Sequence, residues 1–261
     1  MSFFRQFPKI GYDFQLNGIK TNVVDIFRHV KPIEEFIDNY TEYTFYNVEN
    51  GERPDVVSEL LYGTSQYYWT FFVVNDFLHD GYRAWPMSQE DLSEYINEEY
   101  NGYAITSRAD RGADHSIAGK FEIGETIVGN TSGASGKLYR KNLDMNQLIV
   151  RDMVNATAYL GEGDDNIDET IQGATSGDVV RSYKVFKYKE APYYYYKTND
   201  AKKRPQTNAL HIPGAVADSE LSYVSYQQHE IELNEMRSQL KVIDPNYIGQ
   251  FAKTFENLIN A

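Results

Sequence analysis

The chain has 261 residues, of which 41% are hydrophobic and 15% aromatic, with 22 Tyr and 14 Phe. That length buries a core for one large domain or two small ones, and so aromatic a composition excludes a disordered chain. A net charge of −13 sets the surface against phosphate backbones, so no nucleic-acid partner is expected; the lack of cysteine removes disulfides, thiolate metal sites and cysteine nucleophiles together.

No run approaches the roughly 18 apolar residues that a membrane helix needs. The start, "MSFFRQFPKIGYDF", has no continuous apolar stretch and no small-residue cleavage site, so no signal peptide is expected and the chain reads as cytosolic when made. The first 20 residues mix Phe3, Phe4, Phe7 and Tyr12 with Pro8, Gly11 and Gly18, and neither a helical nor a strand period holds. They are expected to form an extended arm, laid either on a partner or on its own domain, and the four aromatics are candidate interface residues.

"NVVDIFRHVKPIEEFIDNY" predicts a short turn and then a helix entered at Pro32. "YTFYNV", Tyr43 to Val48, alternates and predicts a strand. After the turn "ENGERP", Pro54 suits the first turn of a helix from Asp55 to Tyr62. Gly63 ends that helix, since glycine takes the left-handed position without strain. A second helix is expected from Gln66 to Val74, buried on much of its circumference.

From Gly119 to Arg181 the character changes: only Phe121, Tyr139 and Tyr159 are aromatic, and Gly, Thr and Ser are frequent. "ETIVGNTSG" (Glu125 to Gly133) matches "ETIQGATSG" (Glu169 to Gly177) at seven of nine positions, 44 residues apart. "KLYRK" and "NQLIVRDM" read as strands joined by an Asn-Leu-Asp turn. The stretch predicts a small all-β domain inserted into a host domain.

Aromatic, strand-like sequence resumes at "VRSYKVFKYKEAPYYYYKTND", and two helices are expected to finish the chain. The first, from Ser219 to Ile243, carries Leu221, Val224, Ile231, Met236 and Leu240 on an imperfect stripe; at ~1.5 Å per residue it would be a rod about 36 Å long. The second starts with Asp244 as N-cap and Pro245 at N1, and Ile248, Phe251, Phe255, Leu258 and Ile259 make its apolar face.

Catalytic patterns are absent from the sequence. Histidines 29, 79, 115, 211 and 229 share no metal spacing, and neither a phosphate-binding glycine loop nor a G-x-S-x-G elbow occurs. The twice-copied Thr-Ser-Gly reads as a β-turn rather than a nucleophile site. In "GEGDDNIDE", Asp164, Asn166 and Asp168 alternate like calcium ligands, but Glu169 and Thr175 stand where an EF-hand needs Gly and Glu, so a solvated acidic loop is expected. "DAKKRP" reads as a surface loop or a docking point for an acidic partner. The four tyrosines of "APYYYYKT" would alternate in and out on a strand, which suits a core strand or a protein contact better than a sugar platform.

Taken in order, Tyr43 to Val48 as strand, Gly51 in the turn, two short helices and Asn75 give the outline of a LysM-like βααβ module. Glu52-Arg53-Pro54 stands where that pattern carries the rest of its Gly-Asp-Thr, which removes part of the ground for N-acetylglucosamine binding. More specifically, "VDIFRHVK", "TFYNVENGERPDVVSELLYGTSQYYWTFFVVND" and "YRAWPMSQEDL" resemble a small baseplate wedge protein of T4-type contractile-tailed phages, the family numbered fifty-three in that gene series. The points of likeness are Asp25-Ile26-Phe27-Arg28, Arg53-Pro54, Tyr62-Gly63, Tyr68-Trp69, Asn75-Asp76, Trp85 and Ser88. They cover about Val24 to Leu92 and, more loosely, the chain from Ala191 onward.

Together with the readings above, the expected fold is α+β: an arm (1–20), a LysM-like wedge domain (21–118), an inserted all-β domain (119–181) that is not part of the family pattern, and a strand with long C-terminal helices completing the wedge domain (182–261). The resemblance implies a structural subunit of the tail baseplate that joins neighbouring wedges around a six-fold axis; from the charge and motif readings above, no enzymatic activity, cofactor, metal, nucleic acid or membrane is expected. Such a subunit is assembled in the host cytoplasm and resides in the virion. The alternative reading is a module that binds peptidoglycan or a surface glycan through the LysM-like part or the inserted domain. Tyr62, Gly63 and Trp69 are expected inside the module, with Trp69 packed between helix and strand, and Asn75 and Asp76 are expected to close the turn after the second helix. Trp85, flanked by Gly81 and Pro86, is expected in an interface, where an aromatic buries about 150–250 Å². Phe251 and Phe255 join it as candidates on the last helix.

Overall fold

The structure is a computed structural model in which residues 7–25, 43–108, 112–155, 169–206 and 220–260 are described. The helix expected at Pro32 lies outside them, as do Phe3, Phe4 and the acidic stretch before Glu169. Helices and strands are both present, in the α+β manner, and the chain divides into two compact units: Met1–Asp91 with Leu233–Ala261, and Leu92–Glu232.

Lys9–Tyr12 (β1) and Thr21–Val24 (β2) pair antiparallel, Lys9 opposite Val24 and Tyr12 opposite Thr21. Residues 7–20 of the expected arm thus belong to a hairpin; Asn17-Gly18 lets the chain turn back, and Phe7 is buried in the first unit's core. Tyr43–Asn47 (β3) follows, and then Pro54–Tyr62 (α1), with Pro54 in its first turn. Gly63 closes α1 at φ 68°, its N–H on the Glu59 carbonyl. Trp69–Val74 (α2) is shorter than expected, because Ser65–Tyr67 winds as a 3-10 turn with the Thr64 hydroxyl accepting the Gln66 N–H. Gln89–Glu99 (α3) starts at Ser88, whose hydroxyl accepts the Asp91 N–H.

In the second unit Tyr103–Thr106 (β4), Thr126–Gly129 (β5), Ser135–Asn142 (β6), Gln147–Val154 (β7), Thr170–Gly173 (β8), Val179–Arg181 (β9) and Lys184–Lys187 (β10) make one antiparallel sheet. Its order is β10-β4-β7-β6-β5-β8-β9. The β6–β7 hairpin turns where Asn-Leu-Asp predicts. The sheet is larger than residues 119–181, because β4 and β10 extend it on one side. Ile105, Ile127, Leu138, Leu148 and Ile171 fill its core. Pro192–Lys197 (β11) pairs with Leu221–Ser225 (β12), and a register shift after Pro192 breaks the alternation of the tyrosines; Tyr193 stacks on His229 at 4.0 Å.

The repeat folds about a local two-fold axis. β5 and β8 pair with Ile127 opposite Gly173, Val128 opposite Gln172 and Gly129 opposite Ile171. Exchanging residues 44 apart turns the first pair into the third and leaves the second unchanged, so the axis passes through Val128 and Gln172. Each copy's glutamate then caps the other's Thr-Ser-Gly turn. Glu169 Oε1 accepts from Thr131 N (2.8 Å), Ser132 N (2.6 Å) and Ser132 Oγ (2.8 Å). Glu125 accepts from Thr175 N, Ser176 N and Ser176 Oγ, each at 3.0 Å. Both carboxylates are buried. The backbone must come this close: a Cβ on Gly129 would stand 2.5 Å from Glu169 Oε1, and one on Gly173 2.5 Å from Glu125 Oε2.

The rod expected from Ser219 to Ile243 is instead β12, then Tyr226–Ser238 (α4), then Gln239–Ile243 (β13). At ~1.5 Å per residue α4 is about 20 Å long. Val224 at one end, and Leu240 with Val242 at the other, belong to strand patterns whose partners, β11 and β3, lie far away in sequence. β13 pairs antiparallel with β3, Gln239 opposite Asn47 and Ile243 opposite Tyr43. Asp244 Oδ1 holds the Asn246 N–H at 2.8 Å in a turn, and Ile248–Asn260 (α5) starts after that turn rather than at Pro245. α5 buries Ile248, Phe251, Phe255 and Ile259.

Candidate interaction surfaces

In the first unit β3 and β13 lie beside α1 and α2, and Asn75 and Tyr62 tie the helices to β13. Asn75, 3% exposed, ends α2. Its Nδ2 donates to the carbonyls of Phe71 and Lys241, both at 2.8 Å, and its Oδ1 accepts the Lys241 N–H at 2.9 Å. One amide side chain thus takes both backbone groups that Lys241 turns away from β3. The Tyr62 hydroxyl donates to the Ile243 carbonyl at 3.0 Å, and burial raises its pKa, keeping it a donor. Asp76 is exposed and opens a 3-10 turn, and Arg53 is exposed and forks onto Asp55 with two bonds of 3.1 Å. Tyr68 packs near Tyr82, ring centroids 6.2 Å apart.

Four expected interface residues prove to be internal. Trp85 is 7% exposed: the 3-10 turn Gly81–Arg83 swings it inward, its Nε1 donates to the Glu52 carbonyl at 2.7 Å, and its ring meets Phe71 and Phe72. Phe251 and Phe255 lie against Trp69, at 6.2 and 4.9 Å between ring centroids, in the cluster that also buries Phe7. The apolar face of α5 therefore covers the first unit's own core, and Trp69 packs on that helix as much as on the strand. With both tryptophans buried, neither offers a face on which a sugar could stack.

An exposed apolar cluster lies instead on the β1–β2 loop. Phe14, Leu16 and Ile19 are 66%, 92% and 70% exposed, and Tyr12, an expected interface residue, is exposed beside Phe14 with ring centroids 4.9 Å apart. Asp13 shapes this loop. Its carboxylate accepts the N–H groups of Gln15 (3.1 Å), Asn17 (3.2 Å) and Gly18 (2.6 Å), and Leu16 sits at φ 54°, in the left-handed region. Desolvation tends to raise the Asp13 carboxyl, and the amide donors led by Gly18 outweigh it and hold the group below its usual range. The sequence reading passed over these residues, although Asn17-Gly18 between two short alternating runs is a hairpin signal.

Ser132 and Ser176 donate to buried carboxylates that also accept the backbone N–H groups of the same turns, which makes each serine part of a cap. Among the described residues no group of three or more His, Cys, Asp or Glu could hold a metal ion. In the "DAKKRP" loop Asp200 accepts from Arg204 Nε at 2.8 Å and Lys203 reaches Glu232 at 2.6 Å, so much of its charge is answered within its own unit. No described helix is long and apolar enough to cross a membrane.

Residues 1–108 match the model of a family described as base plate wedge protein 53. The matched stretch contains the β1–β2 hairpin, β3, α1, α2 and α3, and it ends just after β4. No curated protein matches the chain.

Proposed function

We propose that this chain, which through residues 1–108 belongs to the family of base plate wedge protein 53, joins neighbouring wedges of a phage tail baseplate into a closed six-fold plate. The observation that carries the reading is the extent of that match, because it takes in the hairpin that presents Phe14, Leu16 and Ile19 to solvent. Large apolar side chains held outward by a shaped loop suit insertion into a neighbouring subunit. In this reading β3, α1, α2 and β13 form a LysM-like βααβ module whose closing strand arrives late in the chain, and the module serves protein contact rather than sugar. The subunit is a structural one, built into the tail in the host cytoplasm, and its second unit decorates the plate.

The test is negative-stain microscopy of the source phage's other wedge proteins, mixed with and without the full chain. Six-fold plates that appear only in its presence support the role, and plates that form equally well without it remove it. Replacing Phe14, Leu16 and Ile19 together by Ser should abolish plate formation while leaving the unfolding midpoint of the protein unchanged.

A further inference from the structure

The β3–β13 sheet has two edges, and they are treated differently. The Val48 N–H donates to the Ser238 carbonyl at 2.9 Å, which with the register places Tyr46 and Thr44 in the hydrogen-bonded pairs facing β13. Phe45 and Asn47 therefore turn their N–H and C=O groups away from β13, as Lys241 turns its own away from β3. On the β13 side three of the outward groups are taken: Asn75 holds both of Lys241's, and Tyr62 holds the Ile243 carbonyl. On the β3 side the backbone groups of Phe45 and Asn47 meet no hydrogen-bond partner among the described residues.

We propose that this outer edge of β3 is a strand-docking site, filled in the assembled baseplate by an extended segment of a different subunit that adds a third strand. The inference rests on the baseplate reading and names the surface through which one contact is made. Edge strands left permanently in water are usually blunted by Lys, Pro or a bulge. "YTFYN" has no charge, no proline and an unbroken register, and Phe45 stands 71% exposed. Paired donors and acceptors at strand spacing are matched by another strand's backbone, and an exposed Phe beside them offers a place for an apolar side chain of that strand. A second copy of this chain is the weaker occupant, because two chains of charge −13 repel each other.

The test is amide hydrogen exchange at single-residue resolution on the full-length protein, alone and after incorporation with the phage's other wedge proteins. In the free protein the Phe45 and Asn47 amides should exchange fast while those of Thr44 and Tyr46 are already slow. On incorporation Phe45 and Asn47 should slow by about tenfold or more. Phe45→Pro removes one outward N–H and leaves the bonds to β13 in place, so it should keep the fold and lose incorporation. Incorporation of the wild type with unchanged exchange at Phe45 and Asn47 overturns the docking site and leaves the baseplate role standing. Slow exchange at both amides in the isolated protein, whether from its own chain or from a dimer seen by light scattering, overturns it as well. A wild type that never incorporates removes the baseplate role, and this inference with it.

Discussion

The turns of the repeat and the turn of the N-terminal hairpin both give their backbone N–H groups to a carboxylate, and to opposite effect. In the repeat the carboxylate comes from the other copy, is buried, and pulls each Thr-Ser-Gly turn down onto the sheet. In the hairpin it comes from Asp13 itself, stays in water, and leaves Phe14, Leu16 and Ile19 facing outward. A long-range cap joins pieces of a core; a local cap shapes a loop without covering it. A buried acceptor with several donors also weighs more in stability than a solvated one, because losing it strands those donors where water cannot replace it.

The comparison is sharpest where the carboxylate is deleted. Glu169→Ala leaves the Thr131 and Ser132 donors without their acceptor and should cost on the order of 3 kcal/mol in urea unfolding. Glu125→Ala should cost at least as much, since its carboxylate also accepts the Glu122 N–H at 2.6 Å; a clearly smaller loss would show that the symmetry is geometric only. Acid should act in the same direction. Burial raises the Glu125 carboxyl, but the donors of Ser176, Glu122 and Thr175 outweigh it and bring it below its reference value of 4.5. Its contribution is therefore fully present above pH 4.5 and is lost as pH falls through the lower folded-state value, which a pH series of unfolding midpoints would follow. Ser132→Ala removes one hydroxyl, which donates to Glu169 and accepts the Ala134 N–H, and should cost about 1–2 kcal/mol by the same measurement. Asp13→Ala should leave the unfolding midpoint unmoved, while the amides of Gln15, Asn17 and Gly18 exchange faster. A large loss of stability in that variant would break the distinction between the two kinds of cap.

Features written in adjacent residues were legible in the sequence. Pro54 and Gly63 bracket α1, the Asn-Leu-Asp turn joins β6 and β7, and the repeat announces itself by seven identities. Those identities include each glutamate, serine and glycine of the caps, and one of the two differences, Val128 against Gln172, falls on the axis. That each glutamate serves the opposite copy was not legible, because the offset gives a period and not a pairing. The same limit explains the failed rod: Leu221, Val224 and Leu240 fit a helical stripe loosely, and distant β11 and β3 turned both ends into strands. Trp85 was misplaced because Gly81 and Pro86 mark a loop, and a loop's direction depends on what waits beneath it, here Phe71 and the Glu52 carbonyl.

The pairing of β3 with β13 bears on how the protein is made. A ribosome that has released α2 must still add about 165 residues before β13 emerges, roughly 8–33 s at ~5–20 residues per second. The second unit is continuous in sequence and is complete before that, whereas Trp69 waits for Phe251 and Phe255. Chains arrested just before Gln239 should therefore carry a protease-resistant second unit and a first unit that is still cut around α2.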